Sequence, residues 1–88
     1  MAFVKKEINS EEWTLILSNV TSVTFQNTSS RPFYINFTAN DTAPEDEIGL
    51  VYGPWQGELN RSIDELSSIG GFIWAKAISR QSSIIVDE

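Results

Sequence analysis

Apolar side chains recur at every second position in two stretches of the chain, a period that places them on one face of a β-strand. In Arg31-Pro-Phe-Tyr-Ile-Asn-Phe-Thr-Ala39, the stripe Phe33, Ile35 and Phe37 alternates with Tyr34, Asn36 and Thr38. In Gly71-Phe-Ile-Trp-Ala-Lys-Ala-Ile-Ser79, Ile73, Ala75 and Ala77 alternate with Phe72, Trp74 and Lys76. We read residues 32–39 and 72–79 as strands, with Phe33, Ile35 and Phe37 in the core. Pro32 has no N–H for a ladder, so it opens its strand or lies on an edge.

Weaker patterns fill the intervals. Residues 13–17 put Trp13, Leu15 and Leu17 on one face, Ser18-Asn19 suits a tight turn, and residues 20–26 carry Val23 and Phe25 in phase. Together these read as a hairpin. Residues 27–32 are turn formers. Residues 40–47 are the longest polar stretch and contain Pro44, which predicts a surface loop. A strand over residues 48–52 (Ile48, Leu50, Tyr52 in phase) leads to Gly53-Pro54-Trp55-Gln56-Gly57, a turn in which glycine permits positive φ and Pro54 fixes its own. Residues 58–63 are ambiguous. Ser62-Ile-Asp-Glu65 matches a capping box and Ile63 and Leu66 lie a turn apart, so a brief helical turn fits there. Residues 82–86 close the series.

About seven short strands without a long helix predict an all-β fold. A small antiparallel β-sandwich is the first choice and a small closed barrel the second. Residues 1–10 precede the first strand pattern and read as an N-terminal arm, either free or added as a strand to a neighbour. Residues 11–88 then form the single sandwich domain.

Composition narrows the function. A chain of 88 residues buries only about 60% of the surface it exposes when unfolded. Cysteine and histidine are absent, which removes disulfides and disfavours a zinc site as staples. Ten aromatic residues supply core area instead, and a homo-oligomer or permanent partner is expected. The net charge of −6 opposes binding to phosphate backbones. Its ordinary reading is solubility, because the acids fall in four short clusters: Glu11-Glu12, Asp41 with Glu45-Asp46-Glu47, Asp64-Glu65 and Asp87-Glu88. No run approaches a membrane span. The two N-terminal lysines precede no apolar stretch, so a signal peptide is not expected and a cytosol-like compartment is. In that setting the Asn-x-Ser/Thr matches at Asn19, Asn27, Asn36, Asn40 and Asn60 reflect composition rather than glycan acceptors.

Without histidine or cysteine the commonest general base and the strongest neutral-pH nucleophile are missing. Asp64 and Glu65 are adjacent and point apart on either a strand or a helix, so no acid/base pair forms there. The acids of residues 41–47 lack the alternation and central glycine of a calcium loop and read as a solvated loop. No enzyme, metal or cofactor is expected. The candidate interaction residues are aromatic. Tyr52 and Trp55 flank a turn where an exposed ring stacks on a sugar or anchors a protein interface, unless Trp55 folds back to cap the sandwich. If Ile73, Ala75 and Ala77 face inward, Phe72 and Trp74 form an outward pair, a contact surface; the opposite phase buries Trp74.

The paired segments Trp13-Thr-Leu-Ile16 and Val23-Thr-Phe-Gln-Asn27, the strand Pro32-Phe-Tyr-Ile-Asn-Phe37 and the late Trp74-Ala-Lys-Ala77 give the chain a resemblance to the small accessory structural proteins of tailed bacteriophages. The resemblance spans about residues 13–86. It implies manufacture in the bacterial host cytoplasm and assembly into the virion, as a head decoration or as a head-to-tail or tail-associated component. The implied partners are other virion proteins and further copies of the chain, a trimer first. Two other classes stay open: a carbohydrate- or receptor-binding module using Tyr52, Trp55 and residues 40–47, and an acidic decoy inhibitor of a nucleic-acid-binding protein.

Overall fold

The computed structural model describes residues 3–87. Among them are eight strands, β1 (Phe3–Ile8), β2 (Thr14–Leu17), β3 (Ser22–Asn27), β4 (Phe33–Thr38), β5 (Leu50–Tyr52), β6 (Gly57–Ser62), β7 (Phe72–Ala77) and β8 (Ser82–Asp87), with one helical turn, α1 (Ile63–Leu66). They form two four-stranded sheets, ordered β1-β8-β3-β6 and β2-β7-β4-β5, with every pairing antiparallel. The architecture is therefore an open sandwich rather than a closed barrel. The pairs β1/β8, β2/β7, β3/β6 and β4/β5 are those of one long hairpin folded over on itself, which is the connectivity of a jelly roll.

The core follows the two-residue period. Phe33, Ile35 and Phe37 are buried, as are Ile73, Ala75 and Ala77 on the neighbouring strand, and Val23, Phe25, Ile84 and Val86 meet them from the opposite sheet. The small alanines lie where β7 runs beside β4, Ala77 opposite Phe33 and Ala75 opposite Ile35, while Ile73 stands opposite Phe37.

Three expectations are corrected. The arm expected over residues 1–10 is corrected for its described part: Phe3–Ile8 is an edge strand of the sandwich, paired residue for residue with β8, and Ile8 is fully buried; residues 1 and 2 lie outside the described residues. The run Lys-Lys-Glu hides the strand from a search for apolar alternation, because Lys6 at the open side spans the two sheets and donates from Nζ to the Ile16 carbonyl (2.8 Å). Nor do β2 and β3 form a hairpin. They lie in different sheets, and residues 18–21 cross between them, held by Val20 N to Gly71 O (3.1 Å) and Ile63 N to Thr21 O (2.9 Å). Gly71 is required for that approach, since a Cβ there would strike the Val20 carbonyl. Finally, Trp13, Leu15 and Leu17 do not share a face. A register shift between Leu15 and Leu17 turns Ile16 and Leu17 inward and leaves Trp13 and Leu15 half-buried.

The predicted strand over residues 48–52 is ordered as a ladder only from Leu50. The ambiguous segment resolves into an edge strand, β6, followed by α1; Ser62 makes no side-chain capping bond, and the turn is closed by Ser67 N to Ile63 O (2.8 Å). No helix among the described residues is long and apolar enough to cross a membrane.

Candidate functional site

The turn after β5 carries the least ordinary backbone in the molecule. Gln56 N donates to Gly53 O (3.1 Å), Pro54 takes the first central position, and Trp55 takes the second at φ 66°. A turn of that kind needs positive φ at its second central residue and usually has glycine or asparagine there. None of the described glycines has a positive φ; the tryptophan has it instead. A bulky side chain in the left-handed region costs on the order of 1–3 kcal/mol and persists only when its surroundings fix it.

The fixing comes from β3. Trp55 N donates to Asn27 O (2.9 Å), Asn27 N to Gln56 O (2.8 Å), and Gln26 Nε2 to Trp55 O (2.9 Å). Asn27 is fully buried and has every side-chain polar atom engaged. Its Nδ2 donates to Arg31 O (2.7 Å) and Tyr52 O (3.2 Å), while its Oδ1 accepts from Ser29 N (2.9 Å) and Ser29 Oγ (2.8 Å). One amide thus joins the ends of β3 and β5, the residue 28–31 turn and, through its backbone, the tryptophan turn. The sequence marks Asn27 only as a turn former.

So held, Trp55 stands 63% exposed on the outer face of the β1-β8-β3-β6 sheet. It forms one wall of a groove of about 350 Å³ with Phe3, Gln26, Leu59 and Ile85, and Glu58 at the rim. Gly57 lies in its floor, where a Cβ would run into the Phe25 carbonyl. Phe3 and Leu59 are 67% and 83% exposed. Neither stands out in the sequence, because Phe3 lies in the segment read as an arm and Leu59 in the ambiguous one.

Tyr52 is not part of this surface. Its ring is buried edge-on against Phe25 (5.0 Å between centroids) and tilted on Phe33 (6.4 Å). Its hydroxyl donates to Glu58 Oε2 (3.0 Å), and Glu58 in turn lies 3.8 Å from Arg61. Burial, then the bond to Glu58 and its negative charge, push the Tyr52 phenol well above its ordinary range.

The outer face of the other sheet is different. Trp74 projects on the side opposite Ile73, Ala75 and Ala77, as the alternation predicts, yet it is only 6% exposed. On that face it stands between Leu15 on β2 and Asn36 on β4. Trp13 Nε1 donates to Asp46 O (2.9 Å) on the β2 side, and Asn36 Nδ2 donates to Ile48 O (3.1 Å) on the β4 side. The polar loop of residues 39–49 is therefore drawn across β7 and covers it. Trp74 Nε1 donates to Thr38 Oγ1 (2.8 Å), which donates to Asn40 O (2.6 Å), and Lys76 lies over the Trp13 ring (5.9 Å). Phe72 is half-buried at the edge of this cover. Of the four aromatic candidates, Trp55 alone is freely presented; Tyr52 and Trp74 are corrected to buried positions.

Among the described residues no three aspartates or glutamates converge on a point that could hold a metal ion. Asp64 and Glu65 are both exposed on α1. What the Trp55 groove offers chemically is an apolar, aromatic contact with a few hydrogen-bonding groups at its rim. Comparison of the chain with protein-family models, with curated proteins and with solved structures gave no match.

Proposed function

We propose that the protein is a structural component of a bacteriophage virion, a head decoration or a head-to-tail or tail-associated part, that works through protein contacts and without turnover. The observation that carries this reading is Trp55: a tryptophan in a left-handed turn, clamped by Asn27 and Gln26 and standing exposed beside an apolar groove. Aromatic anchors of this kind dominate the energetics of protein interfaces. The jelly-roll connectivity supports the reading, since capsid proteins are among the common users of that architecture, and so does the resemblance over residues 13–86. The threefold expectation rests on the resemblance alone, and the expectation of self-association loses one of its physical supports, the outward Phe72/Trp74 pair, because Trp74 lies under the residue 39–49 loop.

Mass spectrometry of purified particles tests the proposal. The chain should be present at a defined copy number, and its absence from particles while abundant in infected cells would overturn the reading. A second reading, a carbohydrate-binding module, keeps the exposed indole of Trp55 as its support but loses Tyr52 to the core. Glycan-array binding abolished by Trp55→Ala would favour it.

A further inference from the structure

We propose that the open face of the β1-β8-β3-β6 sheet is the seat of a twofold homodimer, in which Leu59 and Trp55 of one copy pack on Phe3 and Lys5 of the other. The inference rests on the reading that the protein acts through protein contacts, and it names the partner of the Trp55 groove as a second copy of the chain.

The strand register carries the argument. Two neighbouring rows of residues cross this face from edge to edge. In one, Phe3 pairs with Asp87, Thr24 follows from the Phe25 to Val86 pair, and Asn60 N donates to Thr24 Oγ1 (2.8 Å), which brings Leu59 to the far end. In the other, Lys5 pairs with Ile85, Ile85 with Gln26, and Gln26 with Gly57, while the Gln26 amide holds Trp55 O beside it. A twofold axis parallel to the strands, between β8 and β3, lays β1 of one copy over β6 of the other. It sets Phe3 over Leu59 and Lys5 over the Trp55 indole, an apolar pair and a cation on an aromatic face. It also sets Asp87 over the Thr24 hydroxyl. A surface that carries both members of each pair at mirrored positions is self-complementary, which an isologous contact requires.

Charge and area agree. The acids of residues 41–47 lie over the opposite sheet, and Asp64 and Glu65 lie on α1. The ionised groups on the outward positions of β1 and β8 are Lys5, Glu7 and Asp87, and Lys5 is 3.8 Å from Glu7. Two copies of a chain with net charge −6 thus approach here with little like-charge repulsion. Each strand of the sheet has six residues, so at about 4.8 Å between strands and 3.3 Å per residue the face projects roughly 400 Å². With Trp55 and Leu59 standing proud of it, the contact reaches about the 600 Å² per partner at the lower end of specific interfaces.

Sedimentation equilibrium of the full chain over a series on the order of 1–100 µM should show a mass rising from 9.9 kDa to twice that value. Leu59→Asp and Trp55→Ala should each raise the dissociation constant roughly tenfold or more with unchanged far-ultraviolet circular dichroism. The chain has no cysteine, so introduced thiols report geometry cleanly. A mixture of Phe3→Cys and Leu59→Cys chains should oxidise to the mixed disulfide dimer, and Leu59→Cys alone should not, because its two copies lie at opposite edges of the contact. A monomer at every concentration, a trimer mass, or a Leu59→Cys homodimer forming as fast as the mixed one overturns the proposal. A monomer that is nonetheless found in purified particles would sink the dimer and leave the virion reading standing; a dimer absent from particles would do the reverse.

Discussion

The two outer faces of the sandwich each present a tryptophan, and they treat it in opposite ways. On the β2-β7-β4-β5 sheet, Trp74 is covered by the chain's own loop, residues 39–49, tied down at Trp13 and Asn36. On the β1-β8-β3-β6 sheet nothing in the described residues crosses the face, and Trp55 is lifted into solvent by a backbone conformation that tryptophan rarely adopts. The loop that buries one ring is the most polar segment of the chain and turns its acids outward, so the covered face is acidic, whereas the open face sets Phe3, Trp55 and Leu59 beside Lys5, Glu7 and Asp87. Whether an outward aromatic is a contact residue is therefore decided by what crosses it, not by strand alternation.

Truncation separates the faces most sharply at Trp74. Trp74→Ala removes a buried ring and leaves the indole's place under the loop empty, and it should destabilise the protein by about 3–5 kcal/mol. That is comparable to the loss expected for Phe33→Ala in the core between the sheets. A thermal or urea melt measures it, and a loss below about 1 kcal/mol would mean that the loop does not cover this face in solution.

Asn27→Ala should come next, at about 2–3 kcal/mol, because it strands the buried carbonyls of Arg31 and Tyr52 and frees Ser29 from its acceptor. Its diagnostic effect is on the open face. With the clamp gone, Trp55 should gain mobility, read as a drop in indole fluorescence anisotropy in a variant in which Trp13 and Trp74 are replaced by phenylalanine.

Much of the architecture was readable because inner-face residues obey a strict period of two: Phe33, Ile35 and Phe37, and Ile73, Ala75 and Ala77, are buried as their alternation requires. The period fails where a residue serves an edge. Lys6 bridges the open side of the sandwich through its long stem, so β1 looks polar, and the register shift after Leu15 reverses the faces of β2. The open-face site was legible only at Trp55. Leu59 and Phe3 lie on edge strands with no matching stripe, and Asn27 resembles any turn asparagine until its four side-chain bonds are seen. Glycine in the sequence marked close backbone approaches at Gly57 and Gly71 rather than positive φ.

Asn36→Ala probes the cover without touching the core. The side chain faces outward, yet its Nδ2 holds the Ile48 carbonyl, so the cost should be about 1 kcal/mol. Hydrogen exchange should accelerate in residues 40–48 and leave β3 and β8 unchanged; equal acceleration across both sheets would show that the loop is not an independent cover.

Tyr52 lies at the junction between the core and the rim of the open face. Its phenol holds its proton more tightly in the folded state than in the unfolded chain. Above the ordinary tyrosine range, near pH 10, the unfolded state loses that proton first and binds fewer protons than the native state. Stability then falls as pH rises, and the contribution is fully present below that range. Tyr52→Phe should cost up to about 1 kcal/mol at neutral pH through the lost bond to Glu58. It should also flatten the alkaline decline relative to the parent; parallel curves above pH 10 would exclude Tyr52 as the titrating group.

The smallest effect belongs to the most exposed ring. Trp55→Ala, measured on the dilute monomer, should change stability by no more than about 0.5 kcal/mol, because the indole leaves no cavity. Alanine also keeps the penalty of a left-handed φ. Trp55→Gly removes that penalty, so the glycine variant should be more stable than the alanine variant by about 0.5–1 kcal/mol, even though glycine has more chain entropy to lose on folding. Thermal melts of the two variants at equal, low concentration check the order. If alanine proves the more stable, Trp55 does not occupy the left-handed turn in solution, and the contrast between a ring buried by its own loop and a ring held out by strain fails at the open face.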